Sequence, residues 1–145
     1  MQRVHVTCVA LDGVGLLLRG PSGGGKSDLA LRLIDAGARL VADDYADLEV
    51  KGGRLVATAP ETIAGLIEVR GIGVLRVGCL PEAPVALVVD LVPAGAVDRL
   101  PEPAVCTDYG LALPLVRLDP FQSSAPAKLR LALRLARGDL ARADG

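Results

Sequence analysis

The chain has 145 residues, of which 51% are apolar but only 2% aromatic, and it carries a formal net charge of −1. That length holds one domain with a real core and not two. The charge balance supplies no basic field for nucleic acid or an anionic membrane, and no apolar run approaches the about 20 residues of a membrane-spanning helix. Cys8, Cys79 and Cys106 have no metal-type spacing and are odd in number. They read as reduced thiols, and with no charged-then-apolar leader pattern the expected compartment is the cytoplasm.

Leu, Val and Ala carry the apolar fraction, which favours an α/β fold packed with aliphatic side chains. Val4 to Leu11 alternates and is rich in β-branched residues; Asp12-Gly13 and then Val14 to Arg19 follow, the pattern of a hairpin. The next eight residues, Gly20-Pro21-Ser22-Gly23-Gly24-Gly25-Lys26-Ser27, read G-x-x-x-x-G-K-S. With a strand before them and the helical pattern Leu29-Ala30-x-x-Leu33-Ile34 after them, they are a phosphate-binding loop. Backbone N–H groups and the positive end of the helix would hold phosphate oxygens, Lys26 would reach the terminal phosphates, and Ser27 would ligate magnesium. Nucleoside triphosphate binding, with ATP and Mg2+ as the cofactors, is therefore the first expectation.

Gly37 is a candidate cap for that helix. Arg39 to Ala42 reads as a short buried strand ending on Asp43-Asp44, and Tyr45 to Val50 with Arg54 to Ala57 form a second hairpin around Lys51-Gly52-Gly53. Ile67 to Val77 is an apolar stretch broken by Glu68, Arg70, Gly71 and Gly73, which imply a close backbone approach or special dihedrals. Pro84 to Val92 is the most hydrophobic strand candidate, and Pro93 to Pro103 is a loop. The last helix is expected from Pro126 to Gly138, with Leu129, Ala132, Leu133 and Ala136 as its apolar stripe and Arg130, Arg134 and Arg137 on a solvated face.

Ligands gather at the carboxyl ends of strands in open α/β sheets, so Asp43 and Asp44 are expected near the γ-phosphate. A carboxylate there holds magnesium or accepts the proton of an attacking hydroxyl. Neighbours in a regular strand point to opposite faces, so the two act together only where the strand has turned; Asp44 is expected to face the nucleotide and Asp43 to support it. Asp90, after Ala86-Leu87-Val88-Val89, is the competing magnesium-binding acid. Glu68 and Arg70, two apart, share a face if that stretch is a strand. His5 is the one histidine.

Together these pieces resemble the catalytic domain of HPr kinase/phosphorylase, the bacterial enzyme that phosphorylates and dephosphorylates a serine of the phosphocarrier HPr. The resemblance is carried by His5 fifteen residues before Gly20, by the loop, by Leu40-Val41-Ala42-Asp43-Asp44, and by Ile67-Glu68-Val69-Arg70-Gly71-Ile72-Gly73, which looks like the family's signature. It covers nearly the whole chain, so 1–145 is expected to be one catalytic domain, without the regulatory domain that precedes it in longer members. The resemblance implies a phosphate-loop kinase fold with a mixed sheet, similar to the nucleotide-binding core of phosphoenolpyruvate carboxykinase, and a homo-oligomer, commonly a hexamer. It assigns magnesium to Ser27 and Glu68, the β- and γ-phosphates to Lys26, and the general base to Asp44, with His5, Arg70, Asp43 and Arg99 completing the catalytic set. In reverse, phosphate would attack phosphoserine and release pyrophosphate, with Asp44 as the acid.

Two positions depart from the family. Asp28 stands where glutamate is usual, and Pro114 to Pro120 stands in place of a late loop rich in Arg, Pro and Gly. The alternatives are a small-molecule kinase, which needs a closed pocket beside Asp44, and a nucleotide sensor, which needs only the loop.

Overall fold

Two tight turns set the register of the first half of the chain. In the computed structural model, which describes residues 1–143, Asp12 and Gly13 have φ of 52° and 82°, and Gly52 and Gly53 have 58° and 77°. Two successive positive φ values give the turn whose twist matches that of paired strands. The first turn joins β2 (Thr7–Leu11) to β3 (Val14–Arg19), with Leu11 opposite Val14. The second joins β5 (Ala46–Lys51) to β6 (Arg54–Thr58), with Lys51 opposite Arg54.

The run expected as one strand, Val4 to Leu11, is two. β1 (Gln2–Val4) pairs antiparallel with β5, the chain bends at His5, and β2 pairs with β3 and with β4 (Arg39–Ala42). Each half satisfies its backbone groups in a different part of the sheet, so the alternation runs on while the ladder does not.

The central sheet has the order β10–β11–β9–β3–β2–β4, with β9 (Ala83–Leu91) parallel to β3 and to β11 (Leu113–Leu118). β10 (Ala104–Cys106) closes one edge antiparallel to β11. The β1–β5–β6 arm joins where Val56 and Ala57 meet Pro84 and Ala83 at the start of β9. The expected α/β fold with a mixed sheet is thus observed. The stretch Pro114 to Pro120 is not a loop: Leu113–Leu118 is a parallel strand, because its apolar residues complete the sheet beside Val88 to Leu91.

Alternation along β3 divides the core. Leu16 and Leu18 face α1 (Lys26–Asp35) and α2 (Ala125–Ala136), packing with Leu29, Leu33, Leu87, Val89, Leu129 and Leu133; Leu17 faces the other way, with Cys8, Val41, Leu48, Leu55 and Val88. On β9 the register slips by one residue: Gly15 lies opposite Val85, and Leu16 opposite Leu87. That bulge lets Val85 and Val88 serve one core while Leu87 and Val89 serve the other.

β7 (Leu66–Val69) and β8 (Gly73–Arg76) form a separate hairpin, tied to the rest by Ile67 and Val69 packing on Leu40. Gly71 and Gly73 have φ of 89° and 136°, and a Cβ on either would meet nothing within 4 Å. Their role is turn dihedrals, not close approach. α2 takes Pro126 in its first turn and ends before Gly138 at φ 80°. Among the described residues no helix is long and apolar enough to cross a membrane.

Candidate active site

β3 delivers the chain into Gly20 to Ser27, and α1 begins at Lys26 with Gly25 as its N-terminal cap at φ 98°. No side chain caps that end, so the first-turn N–H groups are left to a ligand, and the helix dipole favours an anion. Gly25 is needed twice over: its φ is left-handed, and a Cβ there would lie 2.9 Å from Pro120 Cγ. Lys26 is 5% exposed, and its Nζ donates to the carbonyls of Gly20 (2.7 Å) and Pro21 (3.1 Å). Its ammonium therefore rests inside the loop that would wrap the phosphates.

The two aspartates after β4 have different surroundings. Asp43 is buried: its Oδ1 accepts from Ser27 Oγ at 2.7 Å and Thr7 Oγ1 at 3.3 Å, and its Oδ2 accepts from the Glu68 N–H at 3.3 Å. It ties together β2, α1 and β7. Asp44 has φ 70°, so the strand has turned there, and both neighbours reach the same cleft. Its N–H donates to Thr7 Oγ1 at 3.0 Å, and its side chain is 57% exposed. His5, placed by the bend between β1 and β2, holds Nε2 2.7 Å from Asp44 Oδ1, while its ring lies against Tyr45 with centroids 5.0 Å apart.

Glu68 on β7 and Arg70, in the turn that follows Val69, both line the cleft with the loop. The cleft has a volume of about 440 Å3 and is bounded by Lys26, Ser27, Asp43, Asp44, Glu68 and Arg70, among others. His5 sits on its rim through Asp44. Arg99 does not join the group: it lies exposed on the loop after β9 and does not line the cleft.

Asp90 is not a free magnesium ligand. Both its oxygens are taken by Arg19, at 2.7 Å from Nε and 3.0 Å from Nη2. Arg19 also donates to Asp108 at 2.7 Å and Tyr109 at 3.3 Å. The hydrogen bond to Asp90, followed by those to Tyr109 and Asp108, raises the guanidinium pKa against the cost of burial; Arg19 in turn holds Asp108 below the usual carboxylate range. Cys8, Cys79 and Cys106 are free thiols, and burial pushes Cys8 up to about 12, which leaves it unreactive.

Three residues at or beside the cleft had no signal in the pattern: Thr7, which bridges the aspartates, Arg19, which anchors the loop's entry strand, and Phe121, which lines the cleft mouth. Thr7 is one polar position in an apolar strand, and Phe121 comes from more than ninety positions downstream of the loop's last glycine.

The chain resembles known proteins over this same architecture. The HPr kinase/phosphorylase of Clostridium tetani is 45% identical over 78 residues, which cover 54% of this chain and 26% of that protein. That of Clostridium botulinum (strain Eklund 17B) is 44% identical over 75 residues, covering 52% and 25%. The match thus spans about a quarter of the length of these curated relatives. The structure of the Hpr(Ser) kinase/phosphatase from Coxiella burnetii superimposes with a TM-score of 0.83 at 26% identity, over 96% of this chain and 92% of that one. The family model for the HPr Serine kinase C-terminal domain matches residues 1–92, the span that carries His5, the loop, both aspartates and the β7–β8 hairpin. With more than half its length inside that match, the chain belongs to the HPr serine kinase C-terminal domain family.

Proposed function

We propose that this chain is the catalytic core of an ATP- and magnesium-dependent protein serine kinase acting on an HPr-type phosphocarrier, and that the same site runs the reverse phosphorolysis. The observation that carries the reading is Asp44. It stands at the cleft rim with its side chain 57% exposed, hydrogen-bonded to His5, where a serine on a protein surface can reach it. A small-molecule kinase would enclose that carboxylate.

In this reading Lys26 leaves the carbonyls of Gly20 and Pro21 for the β- and γ-phosphates, which the loop N–H groups also hold. Ser27 and Glu68, with Asp43 behind Ser27, supply the oxygen donors that suit magnesium, which would neutralise charge on the phosphates. The Ser27 hydroxyl donates its proton to Asp43, so its lone pairs remain for a cation. Asp44 takes the proton of the acceptor serine as its oxygen bonds the γ-phosphorus and the bond to ADP breaks; a loose transition state asks mainly for positioning. His5 orients Asp44, and Arg70 lends positive charge on the acceptor side of the cleft. In reverse, phosphate attacks phosphoserine, Asp44 returns the proton to the serine oxygen, and pyrophosphate leaves. Arg99 has no part in this geometry, and its role rests on resemblance alone. The same reading carries HPr as partner, a hexamer as the assembly, and work in the cytoplasm on the phosphotransferase system.

The test is incubation of the purified chain with HPr and ATP–magnesium, with phosphoserine read by mass spectrometry. Transfer that Asp44→Asn abolishes while ATP still binds supports the proposal. Tight ATP binding with no transfer to any HPr-type carrier would sink it. Adding phosphate to phosphoserine-HPr and measuring pyrophosphate tests the reverse direction.

A further inference from the structure

We infer that the nucleobase of the bound nucleotide stacks on Phe121; the inference rests on the nucleotide reading of the cleft and goes beyond it to the part that recognises the base. The cleft lining is mixed in chemistry. Lys26, Ser27, Asp43 and Glu68 are polar and suit phosphates and a cation, and Leu31, Val69 and Phe121 add apolar surface to the same cleft.

Phe121 is the chain's one phenylalanine, and it is 67% exposed. A single exposed apolar side chain is ordinary on a protein surface. This one is held in place from several sides. Its N–H donates to Asp119 Oδ1 at 3.0 Å, and Arg32 on α1 donates to the carbonyls of Pro120 and, at 3.2 Å, of Gln122. Pro120 packs on Gly25, and Phe121 Cζ lies 3.2 Å from the place a Gly25 Cβ would occupy. The tip of the ring is thus fixed against the phosphate loop while most of its surface stays open to the cleft. An aromatic held beside a triphosphate-binding loop suits a nucleoside triphosphate, which carries its base on the same molecule as its phosphates.

Stacking uses the π-face that every base has, so it tolerates different bases. Asp28, a polar residue on α1 that also lines the cleft, is engaged by Arg32 at 3.1 Å. The structure therefore assigns base binding with little choice between adenine and guanine.

The experiment is titration calorimetry of the wild-type chain, Phe121→Ala, Phe121→Leu and Phe121→Trp with ATP, GTP and inorganic tripolyphosphate. Losing the aromatic face should weaken ATP and GTP alike by about tenfold. Tripolyphosphate, which has no base, should change by less than about twofold. Phe121→Leu keeps apolar bulk and should lose affinity as Phe121→Ala does, whereas Phe121→Trp should keep it. Equal loss for ATP and tripolyphosphate, or no loss for either, overturns the inference. So does unchanged ATP affinity with a raised KM for the protein acceptor, which would make Phe121 a docking residue. A wild-type chain that binds none of the three ligands overturns the nucleotide reading itself, a result distinct from the others.

Discussion

Deleting the Asp43 carboxylate should unfold the protein far more readily than altering Asp44, although the two are adjacent in sequence and meet the same cleft. In Asp43→Ala three donors lose their acceptor: Ser27 Oγ, Thr7 Oγ1 and the Glu68 N–H. Ser27 lines the cleft and turns to water. Thr7 is fully buried, and the Glu68 N–H is partly so. Each buried donor left without a partner costs about 1–3 kcal/mol, and with contacts as long as 3.3 Å the lower half of that range applies. The sum is about 3 kcal/mol, or about 10 °C in Tm for a domain of this size. Asp44→Asn keeps a residue that tolerates the left-handed backbone at φ 70° and touches only an exposed bond to His5. It should stay within about 0.5 kcal/mol of wild type. Urea and thermal unfolding of the three proteins at pH 7 decide the matter. An Asp43→Ala protein as stable as wild type, or an Asp44→Asn protein equally destabilised, refutes the division of labour between them.

Gly25→Ala combines a left-handed φ of 98° with a Cβ 2.9 Å from Pro120 Cγ; it should lower Tm and displace the Pro120–Phe121 segment, and unchanged unfolding with unchanged nucleotide affinity would contradict that account. Asp47, opposite Arg3 across β1 and β5, is held below the usual carboxylate range by the hydrogen bonds from that guanidinium, at 2.8 and 3.1 Å. A lowered folded pKa contributes stability that is complete above the unfolded value of about 4 and is lost as pH falls through the folded one. Wild type should therefore lose unfolding free energy below about pH 5 more steeply than Asp47→Asn, and parallel acid limbs would show that the pair is not coupled to folding.

Local chemistry was legible where one segment contains both cause and effect. Asp12-Gly13 and Gly52-Gly53 carry their own left-handed turns, and the loop glycines, Lys26 and Ser27 carry their own helix start. Period-two spacing does not account for Glu68 and Arg70, because β7 ends at Val69 and Arg70 reaches the cleft from the turn. What stayed hidden depends on partners far along the chain. Nothing in His5-Val6 marks a break, because the break arises when β1 is claimed by β5 and β2 by β3. Pro114 to Pro120 was expected as a loop from the family resemblance, and Leu113 to Leu118 is a strand because β9 offers it an open edge. Asp90 looked like a metal ligand because Arg19, which neutralises it, lies 71 positions away.

The two walls of the cleft differ in how they are fastened. β9 has β3 along one edge and, on the other, β6 at its start and β11 at its end. It is complete only when residues 56–57 and 115–118 have both arrived. Its amides, Val88 and Val89 above all, should exchange with solvent only on global unfolding, and the phosphate loop follows β3, the strand paired to that slow unit. The facing wall, the β7–β8 hairpin with Glu68 and Arg70, belongs to no larger sheet, and all of β8 is exposed. Two strands alone are marginal, so this wall should exchange early and by itself. One side of the cleft keeps its shape while the other opens and recloses at little cost, which gives a bulky protein acceptor a way in without disturbing the phosphates.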